Sequence, residues 1–248
     1  MPANPEPLAG QVIVLTGASN GIGLCTAQLA AQQGARLVLI ARNTQLVDSL
    51  MAVIRSSGGQ AIHVAADVTV REQVRAAAQA AIAHFGRIDT WINNAGVAIY
   101  GRLDQVNEAD SRHLFDVNFW GVVNGSLAAL PYLISARGSL INVGAEVMEG
   151  SGPLQGMYAS SKQAVKAFTD ALRAEMQEVE GAQVAITLIR PSGLDPQQVA
   201  EAIIDAVSKR LPGPTEPCAP AAPQWMACRD ATLRELERER ETHVHGSH

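Results

Sequence analysis

Aromatic residues make up only 4% of the 248 positions, with four Phe, three Tyr and three Trp. Single-stranded nucleic acids are held by stacking bases on such rings, so that class of partner is disfavoured. A surplus of basic charge is also missing, since 19 Lys and Arg face 24 Asp and Glu for a formal net charge of -5. A duplex-binding surface needs clustered cations against phosphates, and no nucleic-acid partner is expected. The three cysteines, Cys25, Cys218 and Cys228, form no CxxC pair and no zinc-ligand spacing. An odd number without a framework suits a reducing cytoplasm, and Cys25 reads as a small apolar residue inside a helix. The opening MPANPEPLAG lacks a basic stretch followed by an apolar one, so no secretion signal is expected. No uninterrupted apolar run approaches the roughly 18 residues of a membrane span, and no membrane is expected. The His-x-His at His243 and His245 is too little for a metal site. These absences predict a cytoplasmic protein without a metal.

What is present is an apolar, weakly charged chain, 47% hydrophobic and 17% charged, long enough for one well-buried domain. Short β-branched runs alternate with helical stretches. QVIVLT, ARLVLI and AIHVAA read as the first three strands, Thr90–Asn93 as the fourth, Ser139–Val143 as the fifth and QVAITLI as the sixth. Between them, Ile22–Gln33, Val70–Phe85, a long region from about Gln105 to Leu133, and Tyr158–Val179 read as helices. Thr44 is the expected cap of another, whose apolar stripe is Leu46, Val47, Leu50, Val53 and Ile54. Strands alternating with helices imply parallel pairing, right-handed crossovers and helices on both faces. The expected architecture is therefore a single α/β domain of the Rossmann type, a doubly wound parallel sheet over residues 1–210. Gln197–Lys209 supplies one more helix, and residues 211–248 form a Pro-rich and then charged tail. Its prolines exclude a central strand, so a last strand is expected to be shortened or missing.

TGASNGIG, Thr16–Gly23, lies between the first strand and the first helix. Glycines there let the backbone turn tightly and approach a pyrophosphate, while the helix end offers free N–H groups and positive potential. Glycines alone are weak evidence, but the strand–turn–helix context strengthens it. The segment, with its G-x3-G-x-G spacing, resembles the signature of the short-chain dehydrogenases/reductases. So do NNAG (Asn93–Gly96), Asn118 in DVNFWG, the Tyr158-x-x-x-Lys162 pair and PSG (Pro191–Gly193). These motifs follow one another in the family's order between about Thr16 and Gly193.

The resemblance implies a dinucleotide held by Gly17, Ser19, Asn20, Gly21, Ile22 and Gly23 of the turn. Asp67 and Val68 would contact its adenine, and Asn94, Ala95, Gly96, Pro191 and Gly193 its remaining length. The second strand ends in Ala41 and Arg42, where an acidic residue would favour NAD. An arginine pairs well with a 2′-phosphate, which points to NADP(H); alternatively Arg42 is a solvated surface charge, and Asp67 caps a helix. Asn20 stands where many NADP-preferring relatives carry a second basic residue.

Tyr158 and Lys162 share a helix face. A lysine ammonium beside the phenol is expected to lower its pKa from near 10 towards a range useful for acid–base work. In the family the lysine also binds the nicotinamide ribose, and the position of Asn118 serves a proton relay. Relatives place a serine thirteen residues before the tyrosine; here that position is Ala145, with Ser151 and Glu146 the nearest polar candidates. Pro196 stands where a threonine is usual, and the next helix follows almost at once, which predicts a short substrate lid. The functions implied are an NADP(H)-dependent oxidoreductase for an alcohol/carbonyl pair, a regulatory NADP(H)-binding protein, or a non-redox enzyme on this scaffold. PLQGM (Pro153–Met157) is expected to line the substrate pocket. Family resemblance further suggests a homodimer or homotetramer.

Overall fold

In the first strand, Val12 and Val14 point to one side of the sheet and Ile13 and Leu15 to the other, and all four are buried. Side chains alternate along an extended chain, so an unbroken apolar run demands cover on both faces. The computed structural model, which describes residues 7–148, 152–191 and 195–214, supplies it. In chain order the elements are β1 (Val12–Thr16), α1 (Gly21–Gln32), β2 (Arg36–Ala41), α2 (Thr44–Ser56), β3 (Gln60–Ala65), α3 (Arg71–Phe85) and β4 (Thr90–Asn93). There follow α4 (Glu108–Phe115), α5 (Gly121–Ala136), β5 (Ser139–Val143), α6 (Gly156–Glu178), β6 (Ala185–Ile189), α7 (Pro196–Lys209) and β7 (Gly213–Pro214). The sheet is wholly parallel, in the order β3-β2-β1-β4-β5-β6-β7. Apolar residues of α1, α2 and α7 close one core, and those of α3, α5 and α6 close the other. Strand order reverses direction between β1 and β4, and the crevice beyond the carboxyl ends of such a pair is where ligands enter doubly wound sheets.

The Rossmann-type expectation therefore holds, with local differences. Asn43, not Thr44, caps α2, its side chain accepting from Leu46 N. The buried stripe of that helix is Val47, Leu50, Met51 and Ile54, while Leu46 and Val53 face solvent. Cys25 is only half-buried. A last strand exists in shortened form: β7 pairs Gly213 with Thr187 and Pro214 with Leu188 at the sheet edge, where proline's missing donor is tolerated. It lies within the segment assigned to the tail, whose later part, with Cys218, Cys228 and the His-x-His, is outside the described residues.

Between α4 and α5 the chain makes a π-helical turn, Asp116–Trp120. The continuous helix Glu108–Ala136 is long and apolar enough to cross a membrane by length and hydropathy alone, contrary to the reading of the sequence. Here its apolar side packs in the domain through Val117, Val122, Ala129 and Leu133.

Candidate functional site

The turn after β1 is built around glycine. Gly17 has φ +69°, and a Cβ there would meet Ala95 Cα at 2.8 Å. A Cβ on Gly23 would lie 2.1 Å from the Gly17 carbonyl oxygen, so any larger residue forces the turn open. Asn20 precedes α1 with an extended backbone and no side-chain cap, and no acidic residue occupies the first helical turn. The amino end of α1 is thus left with donors for an anion.

Thr16 and Asn94 fasten this turn to the end of β4. Thr16 Oγ1 accepts from Asn94 N and Ala95 N, at 3.0 and 3.1 Å. Asn94 Nδ2 donates to the carbonyls of Thr16 and Gly17, each at 3.1 Å. Thr16 was not singled out from the sequence, although a hydroxyl at the end of an apolar strand is the kind of residue that makes such a stitch.

Two cavities open at this switch point. One, of about 390 Å³, includes Gly17, Ser19, Asn20, Ile22, Arg42 and Asp67 in its wall, with Val68, Asn94, Ala95 and Gly96. Arg42 is mostly exposed and lies 3.9 Å from Asp67. Asp67 turns back on itself, accepting from Thr69 N and Oγ1 at 2.9 and 2.8 Å; Val70 takes the cap position of α3. Burial would raise the Asp67 carboxyl, but the Thr69 hydrogen bonds and the charges of Arg42 and His113 outweigh it and hold the pKa low. Gly21 flanks this cavity at φ +51°.

The second cavity, of about 270 Å³, shares Ile22, Asn94, Gly96 and Val97 with the first. Tyr158, Lys162, Ala145, Glu146, Gln155 and Pro191 also line it. Lys162 is buried and its Nζ donates to the Val143 carbonyl at 2.9 Å. Burial draws its pKa down to about 8. The Tyr158 phenol moves opposite to expectation: burial, aided by the Tyr100 hydroxyl nearby, pushes it up to about 12. The same apolar enclosure that destabilises phenolate weakens the ammonium meant to favour it. Tyr158 is accordingly a protonated phenol throughout the neutral range.

That enclosure has a measurable consequence for stability. Lys162 carries a folded pKa below its unfolded value of 10.5, so burying it opposes folding most below pH 8. The penalty fades as pH rises from about 8 to 10.5, because only the unfolded chain then holds the proton. Urea melts of the parent and Lys162→Met should show a stability difference that shifts in favour of the parent across that window. A difference constant from pH 7 to 10.5 would contradict the assignment.

Asn118 lies in the π-helical turn and is fully buried. Its Oδ1 accepts from Val97 N at 2.8 Å, while Nδ2 donates to Val97 O and Ser161 Oγ at 2.9 and 3.0 Å. Its side chain lines neither cavity; it clamps the segment after β4, which a relay role through the side chain does not describe. Gly193 and Ser151 lie outside the described residues. The buried amide network of Asn93 and Asn142 was not anticipated; Gln155, within the segment expected to line the substrate pocket, does line the second cavity.

The family model for short chain dehydrogenases matches residues 11–206. The chain belongs to that family. Its short-chain dehydrogenase relatives include the uncharacterized oxidoreductase YxnA of Bacillus subtilis, 43% identical over 192 residues, or 77% of this chain and 54% of that one. The 11-beta-hydroxysteroid dehydrogenase A of Sesamum indicum is 34% identical over 77% of this chain and 54% of its own. The chain thus spans about half the length of both relatives. A crystal structure of a metagenomic short-chain oxidoreductase in complex with NADP matches with a TM-score of 0.75 and 29% identity, covering 85% of this chain and all of that one.

Proposed function

We propose that this short-chain dehydrogenase is an NADP(H)-dependent oxidoreductase that interconverts an alcohol and a carbonyl. The observation that carries the reading is the junction of the two cavities: the glycine turn and Arg42 line one, Tyr158 and Lys162 the other, and four residues belong to both. A dinucleotide suits this shape, its pyrophosphate at the uncapped end of α1 and its adenosine between Arg42 and Asp67. When bound, the cofactor supplies or accepts the hydride. Tyr158 gives its phenolic proton to the carbonyl oxygen during reduction and takes it back during oxidation. Lys162, held by the Val143 carbonyl, stands one helical turn behind Tyr158 and can bond a ribose hydroxyl. Asn118 keeps the Val97 backbone in place beneath the site.

The NADP-bound neighbour supports the choice of dinucleotide, as does Arg42, whose guanidinium is exposed and loosely paired. A hydrogen bond to a charged group contributes about 1.5–3 kcal/mol, or roughly 10- to 100-fold in affinity. Arg42→Ala should weaken NADPH binding by that factor, measured by fluorescence titration, and leave NADH affinity nearly unchanged. Equal losses for both dinucleotides would remove the argument for a 2′-phosphate contact.

The position of the usual serine is filled by Ala145, whose backbone N–H lies 3.1 Å from Met148 Sδ. That replacement favours a second reading, an NADP(H)-binding protein with little turnover. Trp120 and Leu127, seven residues apart, expose large apolar surfaces on the same side of the helix Glu108–Ala136, which supports assembly as a homodimer or homotetramer. A cytoplasmic site of action agrees with the half-buried, unpaired Cys25.

A further inference from the structure

One side chain in the second cavity has no task in the chemistry above. Gln155 is 2% exposed, yet it lines the cavity together with Ala145, Tyr158 and Lys162. Its carboxamide has no hydrogen-bond partner among the described residues, and it is not sealed in the core either. The only sealed, unpartnered polar side-chain atom among them is Arg173 Nη2. Its amide is therefore not fully sealed where the residue borders the cavity, with Oε1 on the side of Gly152, 3.8 Å from where a Cβ there would stand. Buried polar groups are normally satisfied, and one left unpaired calls for an explanation.

The backbone reinforces this placement. Leu154, just before it, is buried in the left-handed region at φ +69°, a conformation that a branched side chain adopts only when its surroundings enforce it. The Leu154 carbonyl accepts from Gly101 N at 2.9 Å. Gly156, the first residue of α6, has Leu103 Cδ2 2.6 Å from where a Cβ would stand. Gln155 occupies the cap position of α6 without making a side-chain cap. Held from both sides, it lies three residues before Tyr158 and so on the same helical face.

We propose that Gln155 Nε2 donates a hydrogen bond to the substrate carbonyl oxygen, supplying the donor that Ala145 cannot. The inference rests on the oxidoreductase reading. In reduction the carbonyl carbon gains hydride, Tyr158 transfers its proton to the oxygen, and the Gln155 amide stabilises the charge developing there without losing a proton itself. As a neutral amide it donates across the whole pH range, so the site works without the serine.

The test uses the full chain with NADPH and a panel of benzaldehyde, substituted benzaldehydes and cyclic ketones, and the variants Gln155→Leu, Gln155→Glu, Ala145→Ser and Ala145→Ser/Gln155→Leu. Gln155→Leu should lower kcat/KM by about 100- to 1000-fold, the usual loss of an oxyanion donor, while NADPH affinity stays at the parent value. Adding Ala145→Ser to Gln155→Leu should restore most of the loss, which a merely structural defect would not allow. Gln155→Glu should be poor at neutral pH and recover relative to the parent as pH falls, because a protonated carboxyl again donates. With NADP+ and carbon-13-labelled benzaldehyde bound, the carbonyl stretch should lie lower in the parent than in Gln155→Leu. Parent-like turnover and an unshifted stretch in Gln155→Leu would overturn the proposal alone. A parent that binds no NADPH, or binds it and reduces no carbonyl in the panel, would overturn the oxidoreductase reading and this inference with it.

Discussion

Tyr158→Phe is expected to slow carbonyl reduction by about 100- to 10,000-fold, the range that a positioned acid or base contributes, with NADPH binding almost unchanged. The ring survives the substitution, so the cavity wall and its contact with Tyr100, 6.5 Å between ring centroids, are kept. Only the transferable proton is lost. Because burial pushes the phenol up to about 12, the parent should hold its reduction rate steady through neutral pH. Alcohol oxidation, which needs phenolate, should instead increase as the medium becomes more alkaline. The loss of NADPH absorbance under saturating cofactor measures the first, and its gain from NADP+ the second. A Tyr158→Phe variant with parent rates would remove the tyrosine from the chemistry.

The largest expected effect on stability lies behind the site. Asn93 ends β4 and is paired in register with Asn142 of β5. Asn93 Nδ2 donates to Asn142 Oδ1 at 2.8 Å and to Ser126 Oγ at 3.1 Å, while Asn93 Oδ1 accepts from Trp91 Nε1 at 2.8 Å. Asn142 passes the chain of bonds to Thr169 Oγ1 at 2.9 Å. Each member is buried, so removing the central amide strands at least the Trp91 donor and the Asn142 acceptor. A buried group left unsatisfied costs about 1–3 kcal/mol. Asn93→Leu should therefore destabilise the fold by about 3–5 kcal/mol, lowering Tm by roughly 6–20 °C at this chain length. Thermal melts followed by circular dichroism would show it, and a shift of a degree or two would mean that water or repacking satisfies the orphaned groups.

Much of the fold was legible in the residues because the strands are apolar on both faces and the helices carry periodic stripes. The stripe of α7, Val199, Ala200, Ile203, Ile204 and Val207, is buried as its spacing predicts. The α2 stripe was less legible: Leu46, Val47, Leu50, Met51, Val53 and Ile54 spread over a wide arc of the helix, and only packing on the sheet selects which of them are covered. The glycine turn stood out because local geometry demands glycine there, and the Tyr158–Lys162 pair because it matches the family's motif. The Asn93–Asn142 pair did not, since its signal is a shared register between strands far apart in the chain. Gln155 fell within the segment expected to line the pocket, but that its amide lacks a partner was not legible. Its neighbours Pro153 and Leu154 suggest a loop, and its placement depends on how Leu154 and Gly156 meet Gly101 and Leu103, far off in the chain.

The π-helical turn at Asp116–Trp120 amounts to one residue more than an α-helix would need. A helix advances about 100° per residue, so the turn offsets everything after it by that angle relative to everything before. Removing a single residue there would leave a smoother helix by local criteria, yet it would uncouple the Asn118 clamp on Val97 from the inward face of α5. The domain thus tolerates substitutions along this helix more readily than a change in its length.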